Sequence, residues 1–448
     1  MRLAYAAVLG NRTSAVGVAL TTASALIFLF LLALDLVGVL QNPYMGIVIF
    51  VALPVLFAIG LLLIPLGRRL QRRRSPASGA GEPVWPRLDL GDPSMRRALL
   101  FLAVATLANI VILSTATFGA VHYSESQAFC GQTCHEPMTP EFTAHGAGPH
   151  AKVECVSCHV GPGVGGYVRG KLAGVRQLYL FTMGSYHRPI PAPVRNMPAV
   201  DGTCQQCHWP DRHIGDVTKV LYEHADDEAN TETRTTLRLH VGGPRDGAGG
   251  SGIHWHANAA NIVEYATTDE KREQIPYVRL TQPDGSVREY FAEGVTAADI
   301  ADKARRRMDC LDCHNRAAHA YASTPEREVD AAIGAGLIDA RLPFVRREAV
   351  RALAAAYPSH EAALPAIERA MRESVKSADA AALMRAVEVT QSIYRRSVFP
   401  SMQITWGTYP NQRGHTVATG CFRCHDESHK TSAGRTIGQD CETCHTIE

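Results

Sequence analysis

The chain has 448 residues, a nearly balanced formal charge of +2 and 46% apolar residues. That charge gives no bulk attraction to nucleic acid, so no nucleic-acid partner is predicted, and the length is enough for about two or three domains. The apolar residues are unevenly distributed: the long uncharged segments fall in the first 120 residues, and the remainder is polar and rich in glycine and proline.

Three apolar segments in this first region are long enough to cross a bilayer, which takes about 20 residues. They lie at about 15–40, 44–66 and 98–120, and an arginine-rich loop at 67–97 connects the last two. By the positive-inside rule that loop is cytoplasmic, so the third helix exits toward the periplasm. The sequence therefore predicts a membrane region over 1–120, set in the cytoplasmic (inner) membrane.

The twelve cysteines form six pairs, and each pair is followed at once by histidine. Five pairs have the spacing Cys-x-x-Cys-His, which is the c-type haem attachment pattern, and the first has one more residue. The six motifs are Cys130/Cys134/His135, Cys155/Cys158/His159, Cys204/Cys207/His208, Cys310/Cys313/His314, Cys421/Cys424/His425 and Cys441/Cys444/His445. Two sulfurs bond one porphyrin and the histidine supplies an axial nitrogen, so six covalently bound haem c groups are predicted.

Structural zinc is the main alternative interpretation of paired cysteines, because it uses four sulfur or nitrogen ligands. Zinc does not require a histidine at one fixed offset, and a disulfide framework does not require histidine at all. All six pairs carry that histidine. The pattern therefore favours haem.

Six haems can take six further axial ligands, and the sequence offers more candidates than are needed. The candidate distal ligands are Met138, His150, His254, His256, His319, His415 and His429. The ligand set of the first iron is left open between His135 and Met138. If Ile253–His256 is a strand, His254 and His256 point the same way, so only one of them is expected to be a ligand.

The remaining histidines are less informative. His360, within a helical segment, is predicted to be solvent-exposed. Six others stay undecided: His122, His145, His187, His213, His224 and His240.

The sequence outside the membrane region divides into four parts: a triple-haem region at 121–215, a linker with a β-hairpin and the fourth haem at 216–320, a helical insert at 321–400 and a two-haem region at 401–448. Residues 231–252 are predicted to form a loop, and alternation around Pro283-Asp284-Gly285 predicts the hairpin. Thr296 and Asp299 have capping-box spacing, which predicts a helix running into the fourth motif.

Thr324-Pro325 predicts another helix start, and the alanine-rich stretch at 343–394 predicts short helices broken at Pro358 and Pro365. The predicted fold is thus three N-terminal transmembrane α-helices plus a periplasmic multihaem domain. That domain is mostly α-helix and loop with a small β-hairpin, packed around six c-type haems.

Two segments carry a family resemblance: Cys130-Gly-Gln-Thr-Cys134-His135-Glu-Pro-Met138, and Gly148 to Gly163 around the second motif. They resemble the NapC/NirT/NrfH family of membrane-anchored quinol dehydrogenases, chiefly over residues 115–210. With its three spans the whole chain looks like the inner-membrane multihaem cytochromes of metal-respiring bacteria. The resemblance implies electron transfer from membrane menaquinol, through the haems, to periplasmic cytochromes or reductases in anaerobic respiration.

The resemblance also implies a quinol site. Lys171 matches the lysine that family members have near that site, but Gln177 stands where the family has an acid. His122 and Tyr123 are therefore candidates for accepting the quinol proton. In family members a methionine closely follows the first motif, which Met138 matches at a different spacing.

Two other functions stay open. The chain could be a haem-bearing relay subunit of a larger membrane complex without its own quinone site, in which case other subunits are its partners. Alternatively, it could be a terminal multihaem reductase, in which one haem keeps an open axial position. A quinone titration of the isolated chain distinguishes a relay subunit without a quinone site from a chain that oxidises quinol itself.

Overall fold

The structure is a computed structural model that describes residues 12–37, 45–74, 90–194, 197–209, 215–242, 252–258 and 260–448. His213, the side chain of His135 and residues 75–89 of the predicted arginine-rich loop lie outside the described residues. The chain divides into two units, Met1–Thr133 and Cys134–Glu448.

Three long helices make up the described part of the first unit. They are α1 (Arg12–Leu36), α2 (Met45–Ile47, a π-helical segment Val48–Ala52 and Leu53–Arg74) and α3 (Pro93–Glu125). Their candidate membrane spans are Arg12–Asp35, Met45–Gln71 and Met95–Glu125. The prediction of three helices able to cross a membrane is confirmed.

The helices run past the predicted spans at their polar ends. α2 continues to Arg74, so the first arginines of the predicted loop belong to a helix. Long basic side chains at the end of a span can reach the headgroup level from within a helix, so they need not end it.

Small residues let α1 and α2 pack closely. A Cβ added at Gly17 would lie only 2.8 Å from the carbonyl oxygen of Gly60. Nearby, the hydroxyl of Ser14 donates to the carbonyl oxygen of Ile64 at 3.0 Å. Glycine and serine at such contacts are typical of helix pairs in membranes, where close backbone approach replaces hydrophobic packing.

The motif-bearing part of the second unit consists of short helices and turns. The α-helices are α4 (His135–Gly146), α5 (Cys155–His159), α6 (Gly163–Thr182) and α7 (Cys310–Cys313). Short 3₁₀ segments occur at Val200–Gly202, Cys204–Gln206, Ile253–Ala257, Pro400–Met402, Gly420–Arg423 and Cys441–Thr443.

Two small antiparallel sheets connect these turns. The strands are β1 (Gly215–His224), β2 (Glu232–Gly242), β3 (Ile262–Ala266), β4 (Tyr277–Thr281), β5 (Val287–Phe291), β6 (Arg306–Arg307) and β7 (His445–Ile447). One sheet has the order β1-β2-β7 and the other β5-β4-β3-β6. The predicted hairpin is β4–β5, and Gly285 in its turn has the positive φ of +80° that glycine tolerates.

The predicted loop at 231–252 is wrong over its first half, because residues 232–242 form β2. The threonine-rich alternation there suits a strand, and β2 pairs on one side with β1 and on the other with β7, where Leu239 is opposite His445. That second partner is about 200 residues away in the chain, so a local pattern could not reveal it.

The predicted helix after Thr296 is also absent from the described residues. Thr296 does donate to Asp299 through both its amide and its hydroxyl, but turns follow, and residues 306–307 pair with β3. The capping box lies further on, where Asp309 and Asp312 cap α7. Because residues 306–307 pair with β3, they form a strand where the pattern predicted a helix.

The helical insert consists of α8 (Pro325–Gly334), α9 (Val345–Ala354), α10 (His360–Ser374) and α11 (Ala380–Ser397). Thr324 caps α8 as predicted, and a break falls at Pro358. Pro365, however, lies inside α10. The burial of Ile367 and Met371 on the same helix offsets its missing hydrogen bond.

One polar side chain joins the β1–β2 turn to the insert. The Asn230 amide donates to the carbonyl oxygens of Ala340 at 2.9 Å and Leu342 at 2.8 Å, and its side-chain oxygen accepts from the Arg346 amide. These buried bonds fix the insert against the first sheet.

Candidate haem-attachment sites

The complete motifs of the second unit each wind into one tight turn. The histidine amide donates to the carbonyl oxygen of the first cysteine at 2.8 Å for His208, 2.8 Å for His314 and 3.0 Å for His425. This turn places two sulfurs and one imidazole on the same short stretch of backbone, which is the geometry that attachment to one porphyrin needs.

The attachment cysteines are not equally enclosed by protein atoms. Cys207 is exposed, as are Cys421 and Cys441, whereas the other nine motif cysteines are half-buried. The reason is local: Cys207 follows a single 3₁₀ turn, Cys204–Gln206, and the nearby Trp209 is itself 53% exposed. Protein atoms therefore enclose Cys207 less than most of the other motif cysteines, and attachment through Cys207 stays a prediction.

Each motif histidine of these five turns faces a second histidine. The ring centroids are separated by 6.1 Å for His159 and His319, 5.9 Å for His208 and His150, 6.1 Å for His314 and His254, 5.8 Å for His425 and His256, and 6.0 Å for His445 and His415.

These separations fit one iron between each pair. An imidazole nitrogen bonds a metal at about 2 Å and lies roughly 1 Å from its ring centroid, so two rings on opposite sides of one iron have centroids about 6 Å apart. A zinc site fits less well, because no group of three or more His, Cys, Asp or Glu side chains converges on one point among the described residues. The residues present therefore fit haem.

Backbone carbonyl groups orient most of the second histidines. The Nδ1 atom lies within hydrogen-bond distance of a carbonyl oxygen in His150 (Ala317, 3.1 Å), His254 (Val241, 3.1 Å), His256 (Ile253, 3.0 Å) and His319 (Glu141, 2.9 Å). An Nδ1–H group that donates to a carbonyl oxygen fixes the orientation of the ring. It leaves the lone pair of Nε2 free to bind a metal ion, as in most metal-bound histidines.

Burial also keeps some of these rings neutral. It lowers the pKa of His256 and, together with the neighbouring His319, the pKa of His159. A histidine must be neutral to bind a metal ion, so both shifts favour ligation.

His254 and His256 differ from the expectation that only one of them is placed to bind. Their segment is a 3₁₀ turn, Ile253–Ala257, and not a strand, so the two rings diverge. His254 stacks on His314 and His256 lies edge-on to His425. One five-residue turn thus reaches two different motifs.

Two other histidines have roles that their sequence positions did not reveal. His429 is buried, with Nδ1 2.8 Å from Asp426 Oδ1 and Nε2 2.7 Å from the carbonyl oxygen of Ile275. His360, predicted to be exposed, is partly buried between Tyr394 and Phe399, and its Nε2 contacts the carbonyl oxygen of Val398. Both rings are packed into the fold by their neighbours.

The undecided histidines within the described residues are variously placed. His145 has its ring 5.9 Å from that of His319, and its pKa is lowered by burial. His224 and His240 lie against Asp330 and Asp216, respectively. His187 is exposed.

The five motifs of the second unit neighbour one another in chain order. Burial raises the pKa of Cys158, Cys310, Cys313 and Cys444, and nearby thiols of a neighbouring motif add to the effect: Cys204 and Cys207 on Cys158, Cys204 on Cys310, and Cys421 on both Cys313 and Cys444. The second motif is therefore next to the third, the third to the fourth, the fourth to the fifth and the fifth to the sixth.

A buried arginine joins the fourth and fifth motifs. Arg423, inside the fifth motif, donates to the carbonyl oxygens of Asp312 at 2.5 Å, Arg272 at 2.9 Å and Gly420 at 2.8 Å. Asp312, inside the fourth motif, accepts through its carboxylate from Tyr265 at 2.6 Å and from two arginine side chains. Sequence analysis missed this network; the Asp309-x-x-Asp312 spacing was its only local signal.

The first motif lies at the end of the first unit and the start of the second. Its extra residue falls in a π-helical segment, Phe129–Thr133, whose wider winding takes up one more residue than an α-turn. Met138 is half-buried, and its amide donates to the carbonyl oxygen of Cys134 at 3.2 Å. Its thioether therefore lies one helical turn beyond the motif.

The residues predicted for a quinol site occur in both units. His122 stacks on Phe118 in α3, and Tyr123 packs between Phe50 and Phe129. In the second unit Lys171 lies over the Tyr167 ring and Gln177 is exposed, both on α6. Each unit thus supplies part of the predicted set.

Comparison with known proteins gives two lines of similarity. Residues 92–190 match the model of the NapC/NirT cytochrome c family, N-terminal region. The chain is 40% identical over 449 aligned positions to the cytochrome c-type protein ImcH of Geobacter sulfurreducens, which covers 98% of this chain and 88% of ImcH. It is also 33% identical over 113 residues to the cytochrome c nitrite reductase subunit NrfH of Nitratidesulfovibrio vulgaris, covering 25% of this chain and 69% of NrfH. No solved structure matches the chain.

Proposed function

The chain belongs to the NapC/NirT cytochrome c family, and from that premise we propose that it oxidises membrane menaquinol and relays the electrons through six haems to periplasmic cytochromes or reductases. Membership makes it a membrane multihaem cytochrome of electron transfer with covalently bound haem c. The quinol donor, the number of six haems and the periplasmic orientation are the proposed part.

The ring pairs support five bis-histidine haems. His159, His208, His314, His425 and His445 would be the proximal ligands, and His319, His150, His254, His256 and His415 would be their distal partners in that order. His429 is left out of the ligand set, because both its ring nitrogens are engaged by protein atoms. His135 and Met138 belong to the first haem.

The neighbouring motifs support an order of electron flow. Bound haem supplies one-electron oxidation and reduction, and the protein supplies ligands, spacing and charge. Because the motifs of the second unit neighbour one another in chain order, haems held by them would form a path for electrons from the second motif to the sixth. A haem held at the first motif would accept electrons from quinol.

This arrangement argues against the terminal reductase alternative. A reductase haem needs an axial position that a substrate can take, whereas the ring pairs would supply both axial ligands of five haems. Only the first haem, with His135 and Met138, is outside that argument.

At the quinol site the protein must accept two protons while the electrons leave. Lys171 and Gln177 on α6 and His122 at the end of α3 are the proposed residues. Gln177 cannot accept a proton as the family's carboxylate would, so the imidazole of His122 takes the role of general base.

The first test is anaerobic addition of a menaquinol analogue to the purified membrane protein while the haem α-band is followed. Fast, inhibitor-sensitive reduction is expected, and His122→Ala or Lys171→Ala should slow it without changing reduction by dithionite. No reduction by quinol in a protein that dithionite fully reduces would make the chain a relay subunit of a larger complex.

The ligand assignment has its own test, which compares two buried histidines. His256→Met should replace one bis-histidine spectrum by a histidine–methionine spectrum and raise the midpoint potential of one haem. His429→Gln should leave all haem spectra unchanged. A haem spectrum altered by the second variant and not by the first would reverse the two roles.

A further inference from the structure

One helix of the second unit carries a concentration of exposed apolar side chains. Val168, Leu172, Val175 and Tyr179 on α6 are between 48% and 67% exposed. Their spacing of three and four residues aligns them along one face of the helix. Among the described residues no other element of this unit carries more than one large apolar side chain so exposed.

The opposite face of α6 is pressed against the segment that follows the second motif. A Cβ at Gly166 would lie 2.7 Å from the carbonyl oxygens of Val160 and Gly161, and one at Gly170 would lie 3.1 Å from the Val160 side chain. Glycine at both positions allows this close approach. Contact with the segment after the second motif thus fixes one face of α6, and the apolar stripe on the opposite face is exposed.

The charges beside the stripe have one sign. Arg169 and Arg176 lie along one edge, Lys171 lies along the other, and the 20 residues of α6 include no Asp or Glu. A tyrosine within the stripe adds an amphipathic ring that favours the boundary between headgroups and acyl chains. An apolar stripe between basic edges matches the surface of a bilayer, which has apolar acyl chains beneath anionic headgroups.

We propose that α6 lies in the surface of the bilayer that holds the membrane spans of the same chain, with the stripe among the acyl chains and the three basic residues at the headgroups. Helices of this composition lie in the membrane plane and do not cross it. In the sequence, the third candidate membrane span ends at Glu125 and α6 begins at Gly163. The proposal goes beyond quinol oxidation and does not depend on it.

The test maps lipid contact in the full-length haem-loaded protein. The protein is reconstituted in vesicles of phosphatidylcholine with phosphatidylglycerol, labelled with a membrane-partitioning diazirine reagent and analysed by mass spectrometry. Label is expected on the stripe residues of α6 as well as on the three spans. Leu337, which is 57% exposed and lies in the helical insert, should stay unlabelled.

Matched variants show whether the stripe itself makes the contact. Leu172→Glu with Val175→Glu should reduce labelling of α6 to the level of the Leu337 peptide while the spans stay labelled, and Leu337→Glu should change nothing. Arg169→Gln with Arg176→Gln should reduce labelling more in anionic than in neutral vesicles. If the double glutamate variant loses haem, the labelling map of the unaltered protein still decides.

Two results would overturn the proposal. One is labelling of the three spans with α6 no more labelled than Leu337. The other is protection of the α6 stripe that increases with protein density in the vesicles, which would assign the stripe to a second copy of the chain.

Discussion

The helical insert and the haem-motif region of the second unit are organised differently. The insert has a continuous aliphatic core in which Val345, Leu353, Ile367, Met371 and Ile393 are fully buried. Around the motifs the described apolar clusters are smaller, and much of the order comes from turns, ring pairs and side chains bonded to carbonyl oxygens. The insert resembles an ordinary small domain with its own aliphatic core. The motif region has the organisation expected of a protein that surrounds bound haem.

The difference shows what each region needs from its sequence. The insert needs apolar residues at helical spacing, and its stability scales with buried area. The motif region needs cysteines and histidines at defined positions, because covalent attachment and axial ligation replace a side-chain core.

Preparing the chain without haem should have the largest effect, and only on one region. Because the insert has its own core, amides of α8 to α11 should stay protected from hydrogen exchange. Those around the five motifs of the second unit should exchange freely. Exchange is measured by mass spectrometry against the haem-loaded chain. Loss of protection in the insert as well would mean that the two regions fold as one.

Ile367→Ala tests the insert alone. The side chain is fully buried, so its truncation should cost about 2–5 kcal/mol in the free energy of unfolding of the insert. The haem spectrum should not change. Leu337→Ala, at an exposed position, should cost less than about 0.5 kcal/mol. Denaturant unfolding followed by circular dichroism compares the two, and equal costs would contradict the assigned core.

Arg423→Gln tests the motif region alone. The change leaves buried carbonyl oxygens unpaired, which should cost about 1–3 kcal/mol. Loss of the buried positive charge should also lower the midpoint potentials of the fourth and fifth haems, since that charge favours their reduced state. Arg423→Lys should retain more of the potential than of the stability.

The exposed Arg435 provides the control for this experiment. Potentiometric titration of Arg435→Gln should give potentials like those of the unaltered protein. A shift as large in this variant would show that overall charge, and not the junction between two motifs, sets the potential.

The sequence predicted the features that depend on nearby residues. Span length, the attachment motifs, the β4–β5 hairpin around Gly285 and the Thr324 cap each need only a local pattern. The candidate distal list also contained all five histidines that face a motif histidine. The sequence did not indicate which of these histidines faces which motif histidine.

The missed features all depend on distant partners. His319 follows the fourth motif in sequence but faces His159 of the second, and β2 pairs with a strand at the C-terminus. Arg306 belongs to a strand because β3 lies beside it. Tertiary contacts override local capping and loop signals, so no pattern of neighbouring residues could have revealed these features.

A surface ion pair of the insert should contribute least. Bidentate bonding from Arg341 lowers the pKa of Asp339 to about 2. A lowered folded-state pKa means stability that is present above the unfolded value of about 3.9 and is lost as the pH falls through about 2. Because Arg341 is mostly exposed, solvent screening should hold the contribution below about 1 kcal/mol.

Asp339→Asn should therefore lower the stability of the insert slightly at pH 6 and still less near pH 2, where about half of the unaltered carboxyl is protonated. Denaturant unfolding at both pH values measures the difference. A loss comparable to that of Ile367→Ala would mean that surface charge, rather than the aliphatic core, holds the insert together. In that case both regions would depend on polar groups at defined positions. The proposed difference between an aliphatic core and a polar motif region would then be wrong.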